Sequence, residues 1–135
     1  MRFMILVRAT PASEAGCRPD DALMEAMGAF HDELAKAGVL LDAAGLRPTS
    51  HGWRIEHEGG KRRVIDGPFA ETKELVAGYT LIQVRSRDEA LEWTRRFPSP
   101  FGALERGTIE VRQLYEPEDF EPGGLLGPEK LAHRA

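Results

Sequence analysis

The chain has 135 residues, 41% hydrophobic and 30% charged, with a formal net charge of -4. Those values suit one soluble globular domain with a real core and tell against a nucleic-acid binder, which needs a basic face. The single cysteine, Cys17, rules out an internal disulfide and a cysteine-based zinc cluster.

Phe3 to Arg8 is an apolar run that a charge ends, as in a strand buried on both faces. The apolar start is far too short for a signal segment or a membrane span, so a cytoplasmic protein is expected. Thr10 to Pro19 reads as loop. Pro19 with Asp20 and Asp21 suits a helix start, and Leu23, Met27, Phe30 and Leu34 form one apolar stripe. Lys36 and Gly38 suit its end. One helix over about Asp20 to Ala37 is expected.

Val39 to Leu41 opens a second strand that runs loosely to Leu46. Trp53 to Glu58 alternates, with Trp53, Ile55 and His57 on one face. Gly59-Gly60 is a two-residue hairpin loop, and Lys61 to Asp66 is the return strand. Leu75 to Arg85 is the strongest strand, with Tyr79 and Leu81 on one face and Thr80, Ile82 and Val84 on the other. Ser86 and Glu89 spell a capping box before a short helix that buries Ala90, Trp93, Thr94 and Phe97. Thr108 to Tyr115 is a last strand. Residues 116–135 read as an extended tail, after a single domain over 1–115.

Two strand-helix-strand units around an inserted hairpin give an α+β, ferredoxin-like sheet with both helices on one face. Its other face keeps apolar side chains and no helix, so a homodimer with sheets packed face to face is expected.

The densest chemistry lies in Asp66-Gly67-Pro68-Phe69-Ala70-Glu71-Thr72-Lys73-Glu74. A plain turn needs only the Gly-Pro. Asp66 is the candidate general base; its alternative role is to accept backbone N–H bonds in the turn. His31 borders the helix stripe and becomes its partner only if the fold brings the two together. Arg47, Ser50 and Lys73 offer charge and hydrogen bonds to an anion, with Phe69, Glu71 and Thr72 as further pocket lining. The same groups also read as ordinary surface. The four histidines, the fourth being His133 in the tail, have no metal-ligand spacing, so neither metal nor other cofactor is expected.

Asp66-Gly67-Pro68-Phe69 with Ala70 to Leu75 resembles the signature of the DGPF domain within the YCII-related proteins. Phe30 to Leu34, Ala37 to Leu41, Gly45 to Ser50, Ala90 to Trp93 and Ile109 to Gln113 agree with it. The resemblance covers about residues 1 to 120 and implies a dimeric α+β-barrel. Related folds include dehydrochlorinase-like and cofactor-free enzymes, and a His-Asp pair is implied for YCII-type relatives. Some DGPF proteins are associated with extracytoplasmic-function sigma factors. Two functions follow as expectations. One is a metal-free cleft beside the motif that binds or transforms a small polar or anionic organic molecule. The other is a non-catalytic interaction module.

Overall fold

The computed structural model describes residues 1–102 and 104–130. Four strands form one antiparallel sheet: β1 (Arg2–Arg8), β2 (Leu40–Gly45), β5 (Val76–Gln83) and β6 (Ile109–Gln113). Their order is β2-β5-β1-β6. The apolar run of β1 therefore sits inside the sheet, as its composition demands. Phe3 and Ile5 lie opposite Ile82 and Thr80 on β5, and these side chains share the buried face.

Two helices cover that face. The longer, α2 (Asp21–Lys36), starts where Asp20 accepts a bond from the Leu23 N–H at 2.7 Å. Its stripe delivers Phe30 and Leu34 to the core, where they meet Phe3, Ile5, Val39, Ile82 and Val84. Gly38, at φ 75°, turns the chain out of the helix. The second, α3 (Arg87–Arg95), adds Ala90 to the same core. Ser86 caps it as expected, but the Glu89 carboxylate accepts from the Arg85 N–H, one residue before the cap. Connectivity and order are compatible with a ferredoxin-like sheet.

One element was not expected. Thr10 to Pro19 is not all loop: α1 spans Pro11–Glu14. The Thr10 hydroxyl accepts from the Ser13 N–H at 3.1 Å, and the Ser13 hydroxyl accepts from the Thr10 N–H at 2.9 Å. Serine replaces the usual Glu or Gln of a capping box, with Pro11 preset for the first turn.

The inserted hairpin pairs β3 (Trp53–Glu58) with β4 (Lys61–Asp66) as a separate two-stranded sheet. Gly59 and Gly60 take φ 56° and 78°, the two positive angles that a tight hairpin turn requires. After β6, residues 117–120 and 128–130 form short helical turns rather than a purely extended tail. The tail is tied back by Arg2, whose Nε donates to the Glu116 carboxylate at 2.8 Å. His133 lies outside the described residues, as do 131–135 generally.

Candidate functional site

The sheet leaves a cavity of about 1080 Å³ on its helical side. Its walls come from five segments: the run from Val7 through α1 to the 16–20 linker, α2 with Leu23, Met27 and His31, the strand end at 43–46 with Pro48, the strand end at 77–80, and Phe97 with the loop after it. Most of these side chains are apolar. That is the usual make-up of a small-molecule site: a greasy hollow with a few placed polar groups.

The placed group here is His31. It stands one turn beyond Met27 and two beyond Leu23, so all three share a helix face. Its Nδ1 lies 2.7 Å from the Met27 carbonyl oxygen. A carbonyl only accepts, so Nδ1 carries the proton. In a neutral ring, Nε2 then presents a lone pair. The Thr80 hydroxyl, 2.8 Å away, donates to it. Thr80 is only 2% exposed, on the buried face of β5. Phe30 and Phe97 meet the imidazole edge-to-face, at 5.8 and 6.3 Å between ring centres. The ring is therefore oriented, tautomer-fixed and hydrogen-bonded to a hydroxyl at the cavity wall.

The turn at Asp66 lies elsewhere. Asp66 ends β4, exposed, and neither it nor residues 67–74 line the cavity. Both His31 nitrogens are already engaged, by Met27 and Thr80, so the Asp66–His31 pair is not formed. Arg47 and Ser50 are exposed and flank the cavity without lining it; Leu46 and Pro48 do so instead. Glu71 and Lys73 are exposed, and Thr72 is half-buried in a helical turn. Phe69 is half-buried beneath the Arg54 guanidinium, 3.7 Å from its ring centre.

The turn has a different task. Thr49 donates from its N–H, at 3.0 Å, and from its hydroxyl to the Glu14 carboxylate on α1. The Thr49 hydroxyl also accepts from the Phe69 N–H at 3.0 Å. Gly67 donates to the Gly52 carbonyl at 3.0 Å. A Cβ on Gly67 would lie 1.9 Å from the Thr49 carbonyl oxygen, so only glycine fits. The Asp66–Phe69 turn thus grips the 49–51 turn, which grips α1. Pro11, Ala12 and Ser13 of α1 and the adjoining Pro48 form cavity wall. The conspicuous motif is a clasp behind the site.

Sequence reasoning missed Thr80. The cue was present: a hydroxyl on the apolar face of the strongest strand needs a partner. His31 sits four residues after Met27, which places it on the stripe rather than at its border.

Comparison with known proteins gives the chain a family. The model of the YCII-related domain matches residues 1–118. The chain belongs to the YCII-related family. A relative in Rhizobium meliloti (strain 1021), an uncharacterized protein, is 38% identical over 106 residues, covering 78% of this chain and 82% of its own. Among solved structures, a 5-chloro-2-hydroxyhydroquinone dehydrochlorinase from Burkholderia phenoliruptrix, in complex with 2,5-dihydroxybenzoquinone, overlaps at a TM-score of 0.42. It is 14% identical and covers 85% of this chain and 94% of that one. An overlap that loose carries no argument about chemistry here.

Proposed function

We propose that this YCII-related protein binds a small, largely apolar organic molecule in the cavity beneath α2, with a hydroxyl of the ligand donating to the Thr80 oxygen beside His31. The single observation that carries this is the Thr80–His31–Met27 chain opening on an otherwise greasy hollow. The charged side chains on the wall are Arg18, Asp20 and Glu105. That set favours an uncharged ligand over an anion.

The chain can also move a proton. A ligand hydroxyl gives its proton to the Thr80 oxygen as the Thr80 proton passes to His31 Nε2. The resulting imidazolium is held at Nδ1 by the Met27 carbonyl. This is the base-and-orienter logic of general base catalysis, with a carbonyl where other sites use a carboxylate. Asp66 takes no part in it.

Calorimetric binding of 4-nitrophenol tests the assignment. It is small and aromatic, with one acidic hydroxyl. His31→Gln and Thr80→Val are expected to weaken binding about tenfold, the loss of a hydrogen bond in an apolar site. Asp66→Asn is expected to leave it unchanged. Loss of binding in Asp66→Asn alone would return the site to the turn.

A homodimer with sheets face to face is proposed on separate grounds. Met4 lies opposite Leu81, and Leu6 opposite Tyr79, on the face that no helix covers. These four half-buried side chains are a self-complementary patch of the kind that a two-fold axis closes.

A further inference from the structure

The β3–β4 hairpin has two unlike faces. Arg54 and Ile65 share the inner one, with Phe69 stacked beneath Arg54. The outer one is open to solvent. Three rows cross it: Trp53 opposite Asp66, Ile55 opposite Val64, and His57 opposite Arg62. Trp53 is 66% exposed, Val64 62% and Ile55 43%. Neither Asp66 nor Arg62 forms an ion pair among the described residues. A lone two-stranded ribbon is marginal in water and needs a further layer. Large apolar side chains gathered on one open face mark a contact surface.

We infer that two copies of the chain stack these outer faces on each other about a two-fold axis that crosses the ribbon through the Ile55–Val64 row. The charge pattern selects that axis. One charged group stands at each end of β4: Asp66 at the base and Arg62 near the tip. An axis across the strands lays base over tip and each strand on its own copy. Asp66 then meets the partner's Arg62, twice per contact, and Trp53 lies on the partner's His57. The two Ile55 side chains meet, as do the two Val64. An axis along the strands lays tip over tip and brings Arg62 onto the partner's His57, with no carboxylate opposite. The first arrangement pairs every charged group on the face; the second pairs none. The contact uses no residue of the cavity and stands or falls apart from it. It is also a second surface, distinct from the open face of the main sheet.

Cross-linking tests it in a Cys17→Ser background, which removes the chain's one native thiol. Ile55→Cys is expected to cross-link two copies efficiently with a short bismaleimide. Glu56→Cys, on the inner face, is expected not to. In the Ile55→Cys background, Asp66→Arg and Arg62→Asp are each expected to lower association roughly tenfold, since each single change spoils two exposed pairs. Combining them is expected to restore it. Three results would overturn the inference: no cross-link at Ile55→Cys, equal cross-linking at Glu56→Cys, or a double variant no better than the single ones. Each would assign the open face to a different occupant.

Discussion

At the scale of single residues, the side chain that draws the eye in the sequence and the side chain that lines the cavity are different ones. Asp66 is conspicuous in the sequence and stands in solvent. Thr80 is inconspicuous and stands at a cavity wall with its hydroxyl on an imidazole. Hydrogen bonding explains the difference. A buried hydroxyl must find a partner, and the partner it finds is held in one orientation. A tyrosine-carboxylate pair gives a pH prediction. The Tyr79 hydroxyl donates to the Asp42 carboxylate at 2.8 Å, which raises the Tyr79 pKa above its ordinary value, with the Asp42 charge as second cause. Deprotonation destroys the bond. Its contribution is therefore complete below the ordinary tyrosine range and lost as pH rises through the raised value. Tyr79→Phe is expected to narrow its stability gap to the parent chain above that range in urea titrations. A gap that widens with alkaline pH would contradict the pair.

Gly67 supplies the sharpest steric prediction at this scale. A methyl group there would meet the Thr49 carbonyl at 1.9 Å, and the obstacle is backbone that cannot rotate away. Gly67→Ala is expected to cost about 3 kcal/mol, the range of a forced overpacking. An unchanged urea midpoint would show that the two turns do not touch as described.

At the scale of elements, α1, the 49–51 turn and the Asp66–Phe69 turn act as one clasp around Thr49. Thr49→Val removes the hydroxyl that serves both Glu14 and the Phe69 N–H. The expected loss is about 2 kcal/mol, as for partners left unmatched in a half-buried place. Because α1 forms cavity wall, the same variant is expected to bind 4-nitrophenol more weakly than Asp66→Asn does. Equal binding by the two would separate the clasp from the site. The sequence made the elements legible where periodicity was strong. The α2 stripe, the Gly59-Gly60 turn and the Ser86 start were readable because each depends on local spacing. The α1 helix was not, since a four-residue helix has no period and its cap uses Ser13 in an unusual place. The clasp was not legible either. It joins residues 14, 49 and 69, which only the folded chain brings together.

At the scale of the whole molecule, the topology followed from element order because crossover rules leave few ways to place two strand-helix-strand units. The cavity did not follow. Its walls come from five separated segments, and the oriented imidazole of His31 reads in sequence as a border histidine. The Asp66 stretch drew attention because charge density is visible in a sequence and burial is not. The uncovered sheet face carries the remaining whole-molecule prediction. Leu81→Arg places a charge amid Met4, Leu6 and Tyr79. Sedimentation is expected to show the sheet-to-sheet dimer weakened by this change, while the Ile55→Cys cross-link persists. A chain that sediments at 15.0 kDa before any substitution would contradict both contacts.

The most direct test of the central claim is the long-range 1H–15N NMR spectrum of the His31 ring, read before and after addition of 4-nitrophenol. The Nδ1–H form is expected in the free protein, and a large shift confined to Nε2 on binding, with Asp66 and the hairpin unmoved. A ring found as the Nε2–H form, or one that does not respond while residues 66–74 do, would contradict it.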